Sequence, residues 1–414
     1  MNNYSRRNFL GKLIAIPAGL WLSNYHAFSA PLRNQIRITA IKAMQLDFEH
    51  DGCLIKIETD AGLAGYGESG VNSKIARAYI EHLTKGDGII GGDPLSIERH
   101  FFYLTSKEHQ MIPMDLISGI DIALWDLAGK ILDLPVYKLL GGPFRNGCPM
   151  YSHGGNKLDN IMDPASCRRW VEYTKQQPEG FTVFKFGMEW CFPIEAPFHP
   201  NVTSAELKKL YQGFANIREA IGDDPIEIAI HCHNEFDTPS AIAIANTVQP
   251  LNVIFIEDPL NVPYSDGWAA LKRGTRLPVL TGEKLRTLRQ FKPFLDAQAV
   301  DFIHPDISFA GGFTGCMKIA DYAAITRTPV ALHNVGTLVR TYASAHLSMA
   351  IQNFYRSESF LGEIPGRVIE QMSTVEPPVV RNGILHVPDK PGLGLSLDES
   401  FLKRHLIKDE PWWG

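Results

Sequence analysis

Apolar and polar positions follow two different patterns along the chain. Residues 35–71 contain short β-branched and apolar runs bounded by Gly and Asp, as in TDAGLAGYGES (59–69), and this pattern predicts strands joined by a hairpin. Between residues 73 and 142 apolar residues recur at helical spacing, with Pro135 and the pair Gly141–Gly142 as stop signals. A small sheet followed by helices predicts an N-terminal α+β domain.

From about residue 148 the pattern changes to short apolar runs that alternate with helical stretches. Eight such runs occur, at 149–153, 181–186, 227–232, 253–258, 278–283, 301–306, 329–334 and near Phe354. Alternating strands and helices of this number favour a parallel β/α barrel. An open, doubly wound sheet is the competing interpretation.

The later apolar runs each end in an ionisable residue. These residues recur at intervals of 23 to 27 positions and are His231, Glu257, Glu283, Asp306, His333 and Glu358. The C-terminal ends of barrel strands meet at one mouth, so we expect these six side chains to face each other there. Any one of them alone is more simply an exposed loop charge, but their agreement with the strand repeat favours a shared site.

The chemistry of these residues suits metal-assisted proton transfer. Glu257 and Glu283 on neighbouring strands would repel each other without a cation, and their hard oxygen atoms suit Mg²⁺. His231 on the preceding strand is the candidate third ligand. Asp306 beside His333 can orient the ring and raise its basicity, which prepares a general base, whereas a buried structural histidine is the alternative interpretation.

Such a site matches one type of reaction. A metal that binds a substrate carboxylate stabilises the enediolate that forms when the neighbouring proton leaves, and an acid can then help a β-hydroxyl group to depart. Glu358 on the last strand can exchange a hydrogen bond with a substrate oxygen.

Composition excludes several other classes of protein. The chain has 414 residues, of which 45% are hydrophobic and 21% are charged, as is ordinary for a globular protein with one large and one smaller domain. The net charge of −5 and the lack of a basic run give no indication of a nucleic-acid partner. The six cysteines form no CxxC pair, which argues against a zinc knuckle or a thioredoxin-like motif.

Residues 1–30 have the order of an export signal. The pair Arg6–Arg7 precedes an apolar run, Leu13–Leu22, and small residues follow around Ala27–Ala30. That run is shorter than the roughly 20 residues of a membrane-spanning helix, and Ser5–Leu10 resembles a twin-arginine signal. We therefore expect a signal peptide and a periplasmic protein, with an uncleaved amphipathic tail as the alternative.

Several segments resemble the enolase superfamily, and within it the mandelate racemase/muconate lactonising enzyme subgroup. They are 59–69, IDIALWDLAGKILDLPVYKLLGG (120–142), FIEDPL (255–260), TGEKL (281–285), HPDISFAGGFT (304–314), ALHNVG (331–336) and NGILHVPDKPGLGLSLD (382–398). The resemblance implies a capping α+β domain at 34–145, a (β/α)₇β barrel at 146–370, and a C-terminal segment at 371–414 that returns to the capping domain.

The resemblance also implies roles for individual residues. Glu257 and Glu283 would bind Mg²⁺, Asp306 and His333 would form the dyad that removes the α-proton, and Glu358 would hydrogen-bond to the substrate. The sequence departs from the family at one point, because the family has an Asp where this chain has His231. An imidazole ligand suits Mn²⁺, Fe²⁺ or Zn²⁺ better than Mg²⁺, so these ions become alternatives.

Within the subgroup, the sequence is most similar to dehydratases of galactonate- and mannonate-type sugar acids. The racemases carry a second lysine two positions after the one that corresponds to Lys185, and this chain has none there. His233 stands where the dehydratases have their proton donor. Strand alternation predicts that His231 and His233 both face the mouth, while Cys232 points to the opposite face.

Three functions remain open from the sequence. The first is an exported sugar-acid dehydratase that forms a 2-keto-3-deoxy acid. The second is a cycloisomerase or epimerase that uses the same enediolate step. The third is a non-catalytic sugar-acid binder with a degraded metal site.

Substrate specificity is expected to come from loops around the mouth. The candidate segments are 48–52 and 107–114 in the capping domain, and 187–203, which is equally compatible with a plain surface excursion. Further candidates for substrate contact are Lys185, His153 and Arg145. The resemblance implies a homo-oligomer, and we expect a small-molecule partner and neither a nucleic-acid nor a membrane partner.

Overall fold

The computed structural model describes residues 36–48, 52–84, 88–106, 112–154, 158–193, 200–361, 365–377 and 379–413. The predicted signal peptide lies outside these ranges, and so do parts of the three loops that we expect to set specificity. Within them the strands form one sheet of three and one of ten. Of the helices in these ranges, none combines the length and the apolar character that a membrane span requires.

The first sheet is antiparallel and forms the capping domain together with four helices. Its strands are β1 (Ile38–Gln45), β2 (Cys53–Thr59) and β3 (Ala64–Ser69), and the helices are α1 (Ser73–Thr84), α2 (Ile97–Ser106), α3 (Met114–Leu132) and α4 (Val136–Leu139). Helix α3 packs so closely on β3 that a Cβ at Gly65 or Gly67 would lie 2.1 Å from a carbonyl oxygen of the helix. The two glycines of AGYGE therefore allow the helix and sheet to touch.

The second sheet closes into a barrel. Its eight parallel strands are β4 (Cys148–His153), β5 (Val183–Gly187), β6 (Glu227–His231), β7 (Val253–Glu257), β8 (Val279–Thr281), β9 (Phe302–Ile303), β10 (Val330–Leu332) and β11 (Phe354–Ser359). Strand β11 pairs with β4, so the (β/α)₇β barrel is confirmed and the open sheet is excluded.

One helix follows each of the first seven barrel strands in the described part of the chain. These helices are α5 (Pro164–Lys175), α6 (Ser204–Ile221), α7 (Thr238–Val248), α8 (Asp266–Gly274), α9 (Leu288–Asp296), α10 (Gly312–Ile325) and α11 (Leu338–Ala350). Several begin where the side chain of Asp163, Thr203, Asp237 or Thr337 accepts a hydrogen bond from a first-turn backbone N–H.

The inside of the barrel is filled by one layer of side chains. Six strands contribute to it with Tyr151, Val183, Ala229, Phe255, Leu280 and Ala331, all of which are buried. Because strand side chains alternate between faces, the residue two positions further along the strand points to the same interior, one level nearer the mouth. This layer, which we call the barrel floor, therefore lies directly beneath the polar residues of the mouth.

The C-terminal residues join the barrel to the capping domain. The hairpin of β12 (Val380–Arg381) and β13 (Ile384–Leu385) adds to β4 in antiparallel fashion, and α12 (Glu399–Arg404) follows. The backbone N–H of Leu393 donates to Asp126 of α3 over 2.8 Å, and Glu410 forms an ion pair with Arg77 of α1 at 2.5 Å.

Glu68 near the end of β3 connects the capping domain to the barrel through hydrogen bonds. Its buried carboxylate accepts hydrogen bonds from the backbone N–H of Thr337 (3.0 and 3.1 Å), from the Thr337 hydroxyl group and from the backbone N–H of Arg340 (3.2 Å). These donors belong to the first turn of α11, where a negative charge is stabilised by the helix dipole.

Replacing Glu68 by Gln should lower the free energy of unfolding by about 1.5–3 kcal/mol, because hydrogen bonds from buried donors to a charged group would be lost. The measurement is the midpoint of urea unfolding. Glu58→Gln on β2 is the matched control, since Glu58 is partly exposed and its ion pairs in the described part of the chain are with Lys42 and Lys56. We expect the control to lose no more than about 1 kcal/mol, and equal losses in both variants would contradict the assignment.

Candidate active site

The strand alternation seen in the barrel floor brings a set of polar side chains to its mouth. Tyr151, Val183, Ala229, Phe255 and Ala331 of the floor are followed two positions later by His153, Lys185, His231, Glu257 and His333. Strand β11 contains one extra residue relative to β10, and this irregularity brings Glu358 into the same level. Glu283 follows β8.

A compact group of three ligand atoms lies at the centre of the mouth. Single oxygen atoms of Glu257 and Glu283 and one ring nitrogen of His304 lie within 4.8 Å of one another. His304 Nε2 is 3.5 Å from Glu257 Oε2, and both atoms are buried without a hydrogen-bond partner. Unpartnered buried polar atoms are costly, so a shared cation fits this donor set. No role was expected for His304 from the sequence.

The surroundings of this group are strongly negative. Asp258 follows Glu257 and is fully buried. Burial, together with the charges of Glu283 and Glu257, raises the pKa of Asp258 to about 7. Its Oδ1 accepts a hydrogen bond from Thr281 over 2.5 Å, while its Oδ2 has no partner. Asp258 resists ionisation because Glu257 and Glu283 already make this part of the mouth negative. A positively charged ion would therefore be stabilised here.

His231, the predicted third ligand, lies beside this group but is not part of it. It ends β6, is buried, and has no hydrogen-bond partner at Nδ1. Its Nε2 is 4.0 Å from Glu189 Oε1, and its ring is 5.5 Å from that of His153. Burial and the nearby charge of Lys185 hold the pKa of His231 well below its usual value, so the ring is neutral.

His233 lies at the mouth, but in the loop after β6 and not on the strand itself, as strand alternation had predicted. Strand β6 ends at His231, and His233 has a left-handed backbone (φ 50°) and an exposed side chain. Its ring still packs edge-on against that of His231, with centroids 4.3 Å apart. Cys232 is buried with its Sγ 3.3 Å from Met188 Sδ. The exposed position of His233 allows it to contact a ligand that enters the mouth.

Lys185 is a fixed cation in a buried carboxylate network. Its Nζ lies 2.6 Å from Glu257 Oε1 and 2.7 Å from Glu358 Oε1. Burial opposes the charged form, but the two carboxylates outweigh it and raise the pKa of Lys185. His153 Nε2 is 2.5 Å from the same oxygen atom of Glu358. Lys185 and His153 therefore hold Glu358 in place.

His333 and Asp306 form the predicted pair, with Nδ1 of the ring 2.5 Å from Asp306 Oδ2. The other ring nitrogen, Nε2, lies 3.3 Å from Glu283 Oε2 and faces the mouth. Burial opposes protonation, but Glu283 and Asp306 raise the pKa of His333 to about 9. A cation that shares the charge of Glu283 would lower this pKa and make Nε2 available as a base at neutral pH.

Arg340, which sequence analysis did not identify, is the second partner of Asp306. It lies on α11, is fully buried, and donates from Nε to Asp306 Oδ1 over 3.0 Å and from Nη2 to Oδ2. Burial disfavours ionisation of Asp306, but Arg340 and His333 lower its pKa to about 2. Asp306 is therefore a permanent anion that fixes the orientation of His333.

Arg145 is the one predicted residue that the structure does not bring to the mouth. It precedes β4 and lies at the opposite end of the barrel, where its guanidinium donates to the carbonyl oxygens of Ile351 (2.9 Å) and Gln352 (3.2 Å). These residues precede β11. Its contacts connect the first and last strands of the barrel.

Two family models together match most of the chain. The N-terminal domain of mandelate racemase/muconate lactonizing enzymes matches residues 35–141, and the enolase C-terminal domain-like model matches residues 168–401. The chain belongs to the mandelate racemase/muconate lactonizing enzyme family of the enolase superfamily. The resemblance seen in the sequence is thereby confirmed, and membership of this family implies a divalent metal ion.

Individual relatives agree with this assignment. A D-xylonate dehydratase from Haloferax volcanii is 30% identical over 382 residues, which cover 90% of each chain. A mandelate racemase/muconate lactonizing enzyme-like protein from Rubrobacter xylanophilus has a solved structure with a TM-score of 0.80 and 27% identity, covering 92% of this chain and 100% of that one. An enolase-superfamily member from Salmonella Typhimurium superposes with a TM-score of 0.78 at 26% identity, covering 91% and 98%. The protein is therefore a dehydratase-like enzyme.

The buried pair of Arg340 and Asp306 can be tested by a double-mutant cycle. Arg340→Met alone should destabilise the protein by about 3–5 kcal/mol, because it breaks a buried ion pair and leaves His333 as the remaining partner of the Asp306 charge. Adding Asp306→Asn should restore part of this loss, as measured by urea unfolding of the two single variants and the double variant. Strictly additive losses would show that the two groups do not interact.

Proposed function

We propose that the protein is a periplasmic, divalent-metal-dependent sugar-acid dehydratase. The observation that carries this proposal is the Asp306–His333 pair, in which Nε2 of His333 lies 3.3 Å from Glu283, a member of the carboxylate group that could hold a metal ion. Such an arrangement suits removal of a proton next to a carboxylate. A relative described as a D-xylonate dehydratase supports a sugar acid as the substrate.

The proposed reaction removes one molecule of water. His333 Nε2 takes the proton from the carbon next to the carboxylate, while Asp306 holds the proton on Nδ1. The electron pair left on that carbon is first delocalised into the carboxylate, which gives an enediolate. It then forms the double bond between the α- and β-carbons as the bond to the β-hydroxyl breaks, and His233 donates the proton with which this group leaves as water. The resulting enol takes up a proton and becomes a 2-keto-3-deoxy acid.

Glu257 and Glu283, with a neighbouring histidine, would hold the divalent ion. When bound, the ion supplies positive charge to the substrate carboxylate and to the enediolate that forms from it. Mg²⁺ is the ion that family resemblance implies, and a histidine ligand makes Mn²⁺, Fe²⁺ or Zn²⁺ suitable as well. Lys185, His153 and Glu358 would orient the substrate, since they form a rigid hydrogen-bonded group beside the carboxylates.

The absence of a lysine two positions after Lys185 favours dehydration over racemisation. That position is Gly187, so β5 brings one amine to the mouth, and that amine is already paired with two carboxylates. A racemase needs a second base on the opposite face of the substrate, whereas a dehydratase needs an acid for the leaving group. The exposed imidazole of His233 is suited to the second role.

The substrate prediction is tested with a panel of aldonic and aldaric acids that includes D-xylonate. We expect at least one acid to give a 2-keto-3-deoxy product, detected as its semicarbazone, and to require a divalent ion. A product that is isomerised without loss of water would favour the cycloisomerase or epimerase interpretation. If no acid in the panel reacts although several bind, the non-catalytic interpretation is the better one.

Replacing His333 by Asn should lower kcat by about 10²–10⁴-fold, because the general base is removed. Metal content should stay at the wild-type level, as measured by mass spectrometry of the purified protein. His386→Asn is a suitable control, since His386 is an exposed histidine next to β13. A His333→Asn variant with near-wild-type turnover would show that another group is the base.

The export proposal is tested at the twin arginines. Arg6→Lys combined with Arg7→Lys should retain the protein in the cytoplasm, because the twin-arginine signal requires the pair. Immunoblots of periplasmic and cytoplasmic fractions give the measurement, and Arg33→Lys, which lies beyond the predicted signal, serves as the control. Unchanged periplasmic accumulation of the double variant would contradict a twin-arginine signal.

A further inference from the structure

Arg286 lies where the capping domain meets the loop that follows β8. Its Nε lies 3.0 Å from Asp115 Oδ2 in the first turn of α3, and its Nη1 donates to the backbone carbonyl oxygen of Glu283 over 3.0 Å. The side chains of Arg286 and Asp115 are only 32% and 16% exposed, so this ion pair is partly shielded from water. The guanidinium therefore joins a carboxylate of the cap to the main chain of a residue at the barrel mouth.

Glu283 is held in place differently from Glu257. Glu257 is the last residue of β7 and pairs with residues of β6 and β8, whereas Glu283 lies two positions beyond the end of β8. The preceding Gly282 has φ 145°, and the chain turns there with a hydrogen bond of 3.0 Å from the Leu285 N–H to the Gly282 carbonyl. Since the sheet does not fix the main chain of Glu283, its contact with Arg286 helps to determine where the carboxylate lies.

The guanidinium of Arg286 also lies over the ring of Phe309, 4.4 Å from its centroid, as a favourable cation–π contact. Arg340 lies 4.5 Å from the same ring, and the ring of His333 is stacked on it with centroids 6.4 Å apart. The cap approaches Phe309 directly, because a Cβ at Gly70 would lie 2.1 Å from its ring. Phe309 thus lies between the main chain of the cap and the residue that we propose as the base.

We propose that Arg286 is a positioning residue, through which the seating of the capping domain on the barrel sets the positions of Glu283 and His333. The inference rests on the proposed function, because it assigns Glu283 to the metal ion and His333 to removal of the proton. A planar guanidinium can contact a carboxylate, a carbonyl oxygen and an aromatic face at once, whereas the point charge of a lysine cannot reproduce this geometry.

The positive charge of Arg286 separates positioning from simple electrostatics. A cation near the site repels a divalent ion, so loss of the charge alone should strengthen metal binding. Loss of a positioning contact should weaken it. Arg286→Met removes both the charge and the hydrogen bonds, while Arg286→Lys keeps the charge but not the planar group.

The test uses the full-length protein, freed of metal with a chelator and titrated with Mn²⁺ under electron paramagnetic resonance. Arg286→Met should raise the Kd for Mn²⁺ about tenfold, and Arg286→Lys should raise it at least about threefold. Asp115→Asn should also weaken binding, but should add little in the Arg286→Met background, because the two residues act through one contact. The control is Arg289→Met, an exposed arginine nearby, which should stay within about twofold of wild type.

The second readout is turnover of an acid that the wild type dehydrates, measured with saturating Mn²⁺. In Arg286→Met, kcat should fall about tenfold with little change in KM, because a displaced base affects the transition state more than substrate binding. Equal or tighter Mn²⁺ binding in Arg286→Met, or wild-type binding in Arg286→Lys, would overturn the inference and leave the dehydratase proposal in place.

The opposite result is also distinguishable. If both Arg286 variants bind Mn²⁺ weakly but no acid reacts with the wild type, the positioning of Glu283 is supported and the dehydratase proposal fails. A wild type that binds no Mn²⁺ would overturn the inference. If Arg286→Met does not fold, Arg286→Lys and Asp115→Asn decide the matter, since wild-type Mn²⁺ affinity in both contradicts the inference and weakened affinity in both supports it.

Discussion

The organisation of this protein depends on the neutralisation of buried carboxylates at the barrel mouth. Four of them, Glu257, Glu283, Asp306 and Glu358, lie at the ends of β7, β8, β9 and β11, and three are almost completely inaccessible to solvent. Charges of one sign in such a place are stable only when each is paired. Asp306 is paired with Arg340 and His333, and Glu358 with Lys185 and His153. The outer oxygen of Glu257 has no hydrogen-bond partner and lies close to Glu283, and this is where a divalent ion fits.

The capping domain takes part in this charge arrangement through a continuous chain of contacts. Glu68 accepts from the first turn of α11, and the same turn carries Arg340, whose side chain holds Asp306. Asp306 in turn fixes the ring of His333. The capping domain, from which we expect specificity loops, is thus connected through one helix to the residue that we propose as the base. Displacement of the cap would disturb the orientation of that residue as well as access to the site.

Much of the barrel and of its mouth could be predicted because two regular spacings are visible in the sequence. The eight apolar runs correctly predicted the eight barrel strands, and the intervals of 23 to 27 residues between six ionisable groups indicated that these groups lie at a common mouth. His304 was missed because the run DFIHPD was considered to end at Asp306, although His304 follows the inward-facing Phe302 by two positions. Alternation within the strand would have identified it. Arg340 had no such signal, since it lies on a helix whose position relative to β9 depends on tertiary packing.

In the proposed reaction two histidines divide the proton chemistry, His333 as the base and His233 as the acid, and isotope exchange tests this division most directly. In D₂O, a His233→Asn variant supplied with the substrate acid should incorporate deuterium at the α-carbon without losing water, because His333 still removes the proton. His333→Asn should incorporate none, and the measurement is the ¹H NMR signal of the recovered acid. Exchange that survives in His333→Asn but disappears in His233→Asn would contradict the account.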